Sequence, residues 1–211
     1  MLEAYFATLF GVALAQASPG PNFLAVVGAA LGSGRAAALW TVLGVASGMV
    51  VWALLAAFGL GALITAVPAT LTGMKLVGGA YLLWLALNAL LAAWRGVSVS
   101  AGARRAVGAW ASFRHGLFVV LTNPKALLMW TAVGTFLFGS GLSTLQVALF
   151  GPVGMASALV IYGTYGVVFS TGFAGALYAR FARGVEALLG AAFGALGGRL
   201  VWDGVRELRV G

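Results

Sequence analysis

Six apolar runs, near residues 4–31, 38–63, 73–94, 114–138, 145–174 and 185–202, leave this chain little choice of fold. A helix needs roughly 20 apolar residues to cross a bilayer, and each run reaches or approaches that length. The chain is 62% hydrophobic and 8% charged, with a mean hydropathy of +1.05, outside the range of soluble domains. No segment alternates apolar and polar residues as the strand of an outer-membrane barrel must. The pattern predicts an all-α integral membrane protein of six transmembrane helices, with membrane lipids as its surroundings.

The charges between the runs set the orientation. The first, third and fifth connections carry Arg35, then Arg95, Arg104, Arg105 and Arg114, then Arg180 and Arg183. The other side holds Lys75, Arg199, Arg206 and Arg209, offset by Glu3, Asp203 and Glu207. The positive-inside rule then puts the basic connections in the cytoplasm and both termini outside. In a soluble domain the net charge of +8 would suggest nucleic acid; here the bases flank spans, and no nucleic-acid partner is expected. Ala13, Ala15 and Ala17 imitate a signal-peptidase site, but no base precedes Arg35 and two prolines crowd the cut, so residues 1–31 read as a retained span. The chain divides into a three-helix unit at 1–94, a basic cytoplasmic loop at 95–113 and a second three-helix unit at 114–211.

Two of the runs are interrupted. Ser18-Pro19-Gly20-Pro21-Asn22 breaks the first, and Thr122-Asn123-Pro124-Lys125 breaks the fourth. With Pro19 aligned on Pro124, Gly11 falls on Gly116 and Ser18 on Asn123, a constant offset of 105. Each pair reads as a small polar N-cap followed by proline at the first helical position. Three crossings separate the two breaks, so a duplicated unit would be inverted, and broken helices at corresponding places in inverted repeats point to a transporter's central site. A break frees backbone N–H and C=O groups inside the membrane, where they can hold something polar.

Lys125 deepens that expectation. It follows Arg114, at the cytoplasmic edge, by 11 residues, roughly 16 Å of helix and about half the hydrocarbon thickness. Insertion scales put a central lysine at about 2.5–3.5 kcal/mol unfavourable, so it should face a partner or a wet cavity. It lies in a first helical turn, where the macrodipole is positive, and no acid lies in a span interior, Glu186 standing only at the start of the sixth run. The missing anion is then a substrate carboxylate, and the alternative is a neutral lysine donating to carbonyls of a neighbouring helix.

Nothing else in the sequence competes with this site. Cysteine is absent and His115 is the sole histidine, beside Arg114 at the interface, so neither a metal nor a cofactor is expected. No acid pair, cysteine or second histidine could assemble a catalytic group, so the chain is not expected to be an enzyme. Tyr81, Tyr162 and Tyr165 are pathway candidates that more commonly pack. Glycines at 28/32, 44/48 and 190/194/198 read as close-packing faces, with a homodimer as their secondary use.

The motifs SPGPN at 18–22, LGVASGMVVW at 43–52, VGGAYLLWLAL at 77–87 and TNPKA at 122–126 resemble the lysine-exporter family of bacterial amino-acid exporters, closest to its homoserine and threonine efflux branch. The resemblance covers nearly the whole chain. It implies a six-helix inner-membrane protein that moves amino acids outward, driven by the proton motive force. Some members have an acid directly after Pro-Gly-Pro where this chain has Asn22, and many have one in the second span near Met49. Both departures remove anions, which favours a neutral or zwitterionic substrate and leaves a carboxylate proton relay without its acids. The expected binding set is Ser18, Pro19, Gly20, Pro21, Asn22, Thr122, Asn123, Pro124 and Lys125, and the rival reading is a passive channel for small polar solutes.

Overall fold

The computed structural model describes residues 2–67, 70–95, 108–171 and 174–210, and every regular element among them is helical. The loop residues 96–107, with Arg104 and Arg105, lie outside the described residues, as do the side chains of Arg180 and Arg183. The helices are α1 (Leu2–Ala17), α2 (Pro21–Ser33), α3 (Arg35–Leu54), α4 (Gly61–Ala66), α5 (Thr70–Arg95), α6 (Ala109–Thr122), α7 (Pro124–Gly139), α8 (Thr144–Phe169) and α9 (Ala174–Val210). A π-helical segment, Leu55–Leu60, joins α3 to α4 without a turn. Both predicted breaks are present, after Ala17 and at Asn123. Across the second, α6 and α7 bend by 60° and together are long and apolar enough for one span. Among the described residues, three helical stretches have that character alone: Arg35–Leu60, Lys75–Arg95 and Thr144–Phe169, the last continuing through Pro152.

The inside of this bundle is no more apolar than its outside. Leu2, Phe6, Phe10, Trp84, Trp94 and Trp202 are exposed, while alanines at 37, 38, 46, 53 and 57 are buried. That is the distribution expected where lipid, as apolar as leucine, surrounds the helices and small residues let backbones approach. The closest approach joins α3 to α6. A Cβ on Gly44 would lie 2.0 Å from the Phe113 carbonyl oxygen, and one on Gly116 2.1 Å from that of Thr41. The glycine reading of 44/48 therefore holds, since Gly48 also faces Val120, whereas Gly28 and Gly32 face open space.

A second close pair is α5 with α9. Here the tightest contacts are at Gly190, Gly197 and Gly204, seven residues apart: Gly197 meets the Gly79 carbonyl and Gly204 meets Leu76, while of the expected 190/194/198 face Gly194 touches Ala86 at 3.8 Å and Gly198 faces open space. At the far end Lys75 pairs with Glu207, which also accepts from Thr72 at 2.9 Å. Those hydrogen bonds, from Lys75 above all, hold the Glu207 carboxyl below its ordinary range. Since α3 packs on α6 and α8, and α5 on α9, helices of the two halves interleave instead of forming separate lobes.

Candidate functional site

The two breaks meet. Lys125 leaves its own helix and crosses to the end of α1, where its Nζ donates to Ser18 Oγ and to the carbonyls of Pro19 at 3.3 Å and Ser18 at 3.4 Å. Gly20 makes room, since a Cβ there would stand 3.3 Å from Lys125 Cδ and 3.4 Å from Nζ. The two ends of the lysine therefore meet opposite dipoles: its backbone lies at a positive helix start, but its amine rests on the negative C-terminal end of another helix. This is the carbonyl-donating arrangement weighed as the alternative to an external anion.

The local readings of the two breaks fare differently. Asn123 is the N-cap of α7, accepting from the Lys125 backbone N–H at 2.9 Å, with Pro124 next in the first helical position. The carbonyl of Asn123 also accepts from the amides of Ala126 and Leu127, so the first turn of α7 is already engaged. In the first break, however, Ser18 is not an N-cap. Its hydroxyl donates back to Ala15 at the end of α1, Gly20 precedes α2 without a side-chain cap, and Pro21 takes the first helical position. Two prolines competed for one place, and the helix starts at the second, so Pro21 and not Pro19 takes the first helical position, as Pro124 does in α7.

Around Lys125 lies a small chamber of about 20 Å³, enough for a water molecule and far too small for an amino acid. Of the expected residues, Ser18, Gly20, Asn22, Asn123 and Lys125 line it, and Pro19 contributes its carbonyl. Pro21 is exposed, as is Thr122, whose hydroxyl turns back to the Phe118 carbonyl. The side chain of Pro124 is outside the described residues. Asn123 Nδ2 donates to Asn22 Oδ1 at 3.0 Å, and Asn22 Nδ2 faces the Tyr162 hydroxyl at 3.5 Å, so one chain of amides spans both breaks and reaches α8. Tyr165 donates to the Ala17 carbonyl at 2.8 Å, closing one of the acceptors freed at the first break.

Sequence reasoning passed over Gln16. It is buried, donates to the Gly154 carbonyl at 3.1 Å and accepts from Ser157 Oγ at 2.7 Å, fastening the end of α1 to α8. The available signal was an amide inside an apolar run, two residues before the break. Met49, which stands where relatives are expected to hold an acid, also lines the chamber, as do Phe23, Ala15 and Met129.

A family model for LysE type translocators matches residues 13–204. The chain belongs to the LysE type translocator family. It is 29% identical to the uncharacterized membrane protein YahN of Escherichia coli K12 over 209 residues, covering 98% of this chain and 92% of that protein. It is 35% identical to the threonine efflux protein of the same organism over 133 residues, 62% of this chain and 65% of that protein. A threonine efflux protein of Salmonella typhi is 32% identical over 141 residues, 66% of this chain and 68% of that protein. No solved structure matches. The resemblance read from the motifs is borne out, and the chain is a multi-pass membrane protein of this translocator family.

In this translocator, Asn123→Ala removes a cap and strips Asn22 Oδ1 of its donor. Loss of an N-cap costs about 0.5–2 kcal/mol, and a buried acceptor left unmet costs about 1–3 kcal/mol more. The variant should insert into the membrane but melt at lower temperature in detergent, and Asn123→Asp, which keeps the cap acceptor, should recover part of the loss.

Proposed function

We propose that this protein exports neutral or zwitterionic amino acids, threonine- or homoserine-like in size, across the bacterial inner membrane. Six crossings arranged as two inverted three-helix repeats, at residues 1–94 and 114–211, with the basic loop 95–113 in the cytoplasm and both termini outside, are part of the proposal. The order of a broken helix followed by two long ones, present in each half, supports it. Relatives named threonine efflux proteins support the substrate class. The observation that carries the reading is the convergence of both helix breaks on one amine, Lys125, beside Ser18, Asn22 and Asn123 in a small chamber within an apolar bundle.

The mechanism follows from what the amine touches. An incoming zwitterion offers a carboxylate to Lys125 and an ammonium to the Ser18 and Pro19 carbonyls that Lys125 then releases. Every charged group keeps a partner through the exchange, which a low-dielectric site demands. Ser18, Asn22 and Asn123 supply neutral hydrogen bonds, and the Gly20–Pro21 start of α2 lies beside them. Thr122 and Pro124 belong to the set through their backbone at the second break. The chamber must open before it admits a substrate, as alternating access requires. Because the halves interleave through glycine contacts, that opening falls on the weaker seams between helix pairs. Lys125 and the Tyr162 phenol are titratable groups lining the site, and proton coupling is assigned to Lys125.

The test is efflux from preloaded vesicles across a panel of amino acids. Saturable export of small neutral amino acids, with lysine and arginine left behind, is the expected result. Flux that rises linearly with substrate concentration would replace the transporter by a channel. Reporter fusions within 96–107 should read as cytoplasmic, and an outside signal would reverse the topology.

A further inference from the structure

A second cavity, of about 180 Å³, lies between the α5–α9 pair on one side and α1 with α7 on the other. Val12, Leu82, Val133, Phe136, Phe193 and Leu200 give it apolar walls. Its charged end is formed by Arg199 and Asp203, four residues apart on α9 and 4.0 Å from each other. A cavity of roughly 150 Å³ already admits a benzene-sized molecule, so this one can hold a small amino acid where the Lys125 chamber cannot. Ala15 and Met129 line both spaces, which makes them the wall between them. They are also well suited to yield: Ala15 fills little space, and methionine is unbranched with three rotatable bonds.

The position is consistent with a route outward. Met129 lies in the first turns of α7 and Phe136 towards its end, while Leu200 and Asp203 lie in the part of α9 near its C-terminus, the end assigned to the outside. The cavity thus continues from the mid-membrane chamber toward the side on which both termini emerge.

We infer that the cavity between α1, α5, α7 and α9 is the outward half of the substrate path, closed from the Lys125 chamber by Ala15 and Met129. Its occupant is a zwitterionic amino acid with a small apolar or methyl-bearing side chain. The apolar walls accept the side chain, and the Arg199–Asp203 pair matches the two charges of the backbone end. This rests on the export reading above.

The chain contains no cysteine, so single substitutions report without background. Val133→Cys and Leu200→Cys, in the full chain in oriented vesicles, are exposed to a membrane-impermeant charged thiosulfonate on either side. Leu127→Cys, on the exposed face of α7, serves as a lipid-facing control. Both cavity cysteines should react from the outside, faster than the control, and the reacted protein should lose efflux. Met129→Trp should abolish efflux while Val133→Cys placed in the same chain still reacts. No reaction, as for a cavity filled by a lipid tail, overturns the inference, and so does reaction from the inside alone. Reaction that leaves efflux intact overturns it equally. Labelling does not depend on transport, so the failures separate. An unmodified protein that exports but never labels sinks the path alone, whereas one that labels but moves no amino acid sinks the export reading and the path with it.

Discussion

Lys125→Met should reduce export by about one to two orders of magnitude while leaving the protein folded in the membrane. The first half follows from the loss of hydrogen bonds between a charged donor and its acceptor, about 1.5–3 kcal/mol where they act on the bound substrate. The second follows from opposing terms of known size. The variant forfeits a cation at the C-terminal end of α1, about 0.3–1 kcal/mol. It is relieved of a charge within the membrane, about 2.5–3.5 kcal/mol on insertion scales. It also leaves the Ser18 and Pro19 acceptors without that donor, about 1–3 kcal/mol, so relief and loss are of similar size and the melting temperature should shift little. Initial rates of efflux from preloaded vesicles, normalised to the amount of protein, check the first half, and thermal melting in detergent the second. Export that survives in the variant would remove the carboxylate anchor but leave the translocator.

Gly44→Ala and Gly116→Ala should each cost at least about 3 kcal/mol, the upper end of what an overfilled core exacts, and sharply reduce folded protein. The added methyl would stand 2.0 Å or 2.1 Å from a backbone oxygen of the facing helix, and no rotamer change can move either one. The helices must separate, and with them the site, because α6 ends at Asn123 and α3 brings Met49 to the chamber. Gly28→Ala and Gly32→Ala are the matching controls. Neither meets anything within 4 Å, so each should be neutral or, by helix propensity, gain roughly 0.5–1 kcal/mol. Size-exclusion profiles and melting temperatures of the four variants decide the matter, and equal behaviour of the two pairs would refute the packing.

Much of the fold was legible in the chain because it depends on neighbours in sequence. Apolar length announces a membrane helix, and a proline without an N–H and with a fixed φ ends one helix or begins another wherever it stands. Breaks after Ala17 and at Asn123 were accordingly readable, as was the cap of Asn123 on Lys125 only two residues away. The glycines at 44 and 48 were readable too, as a face without side chains.

What depends on distant partners was not. Sequence alone left both prolines of the first break eligible, and packing chose Pro21. It suggested glycines at four-residue spacing on α9, whereas the crossing with α5 uses every seventh residue. Lys125 could be recognised as an amine inside an apolar run, but its resting place on Ser18 and Pro19, more than a hundred residues away, could not. The same holds for Gln16 and its partners on α8. In water, apolar periodicity would have marked the inward face of each helix; in lipid both faces are apolar, so that signal is lost and only contact decides which way a residue looks. Residue chemistry therefore determined that this is a helical membrane protein with two interrupted apolar helices and an amine at one of the breaks, and tertiary packing decided that the two breaks face each other and that this amine bridges the gap between them.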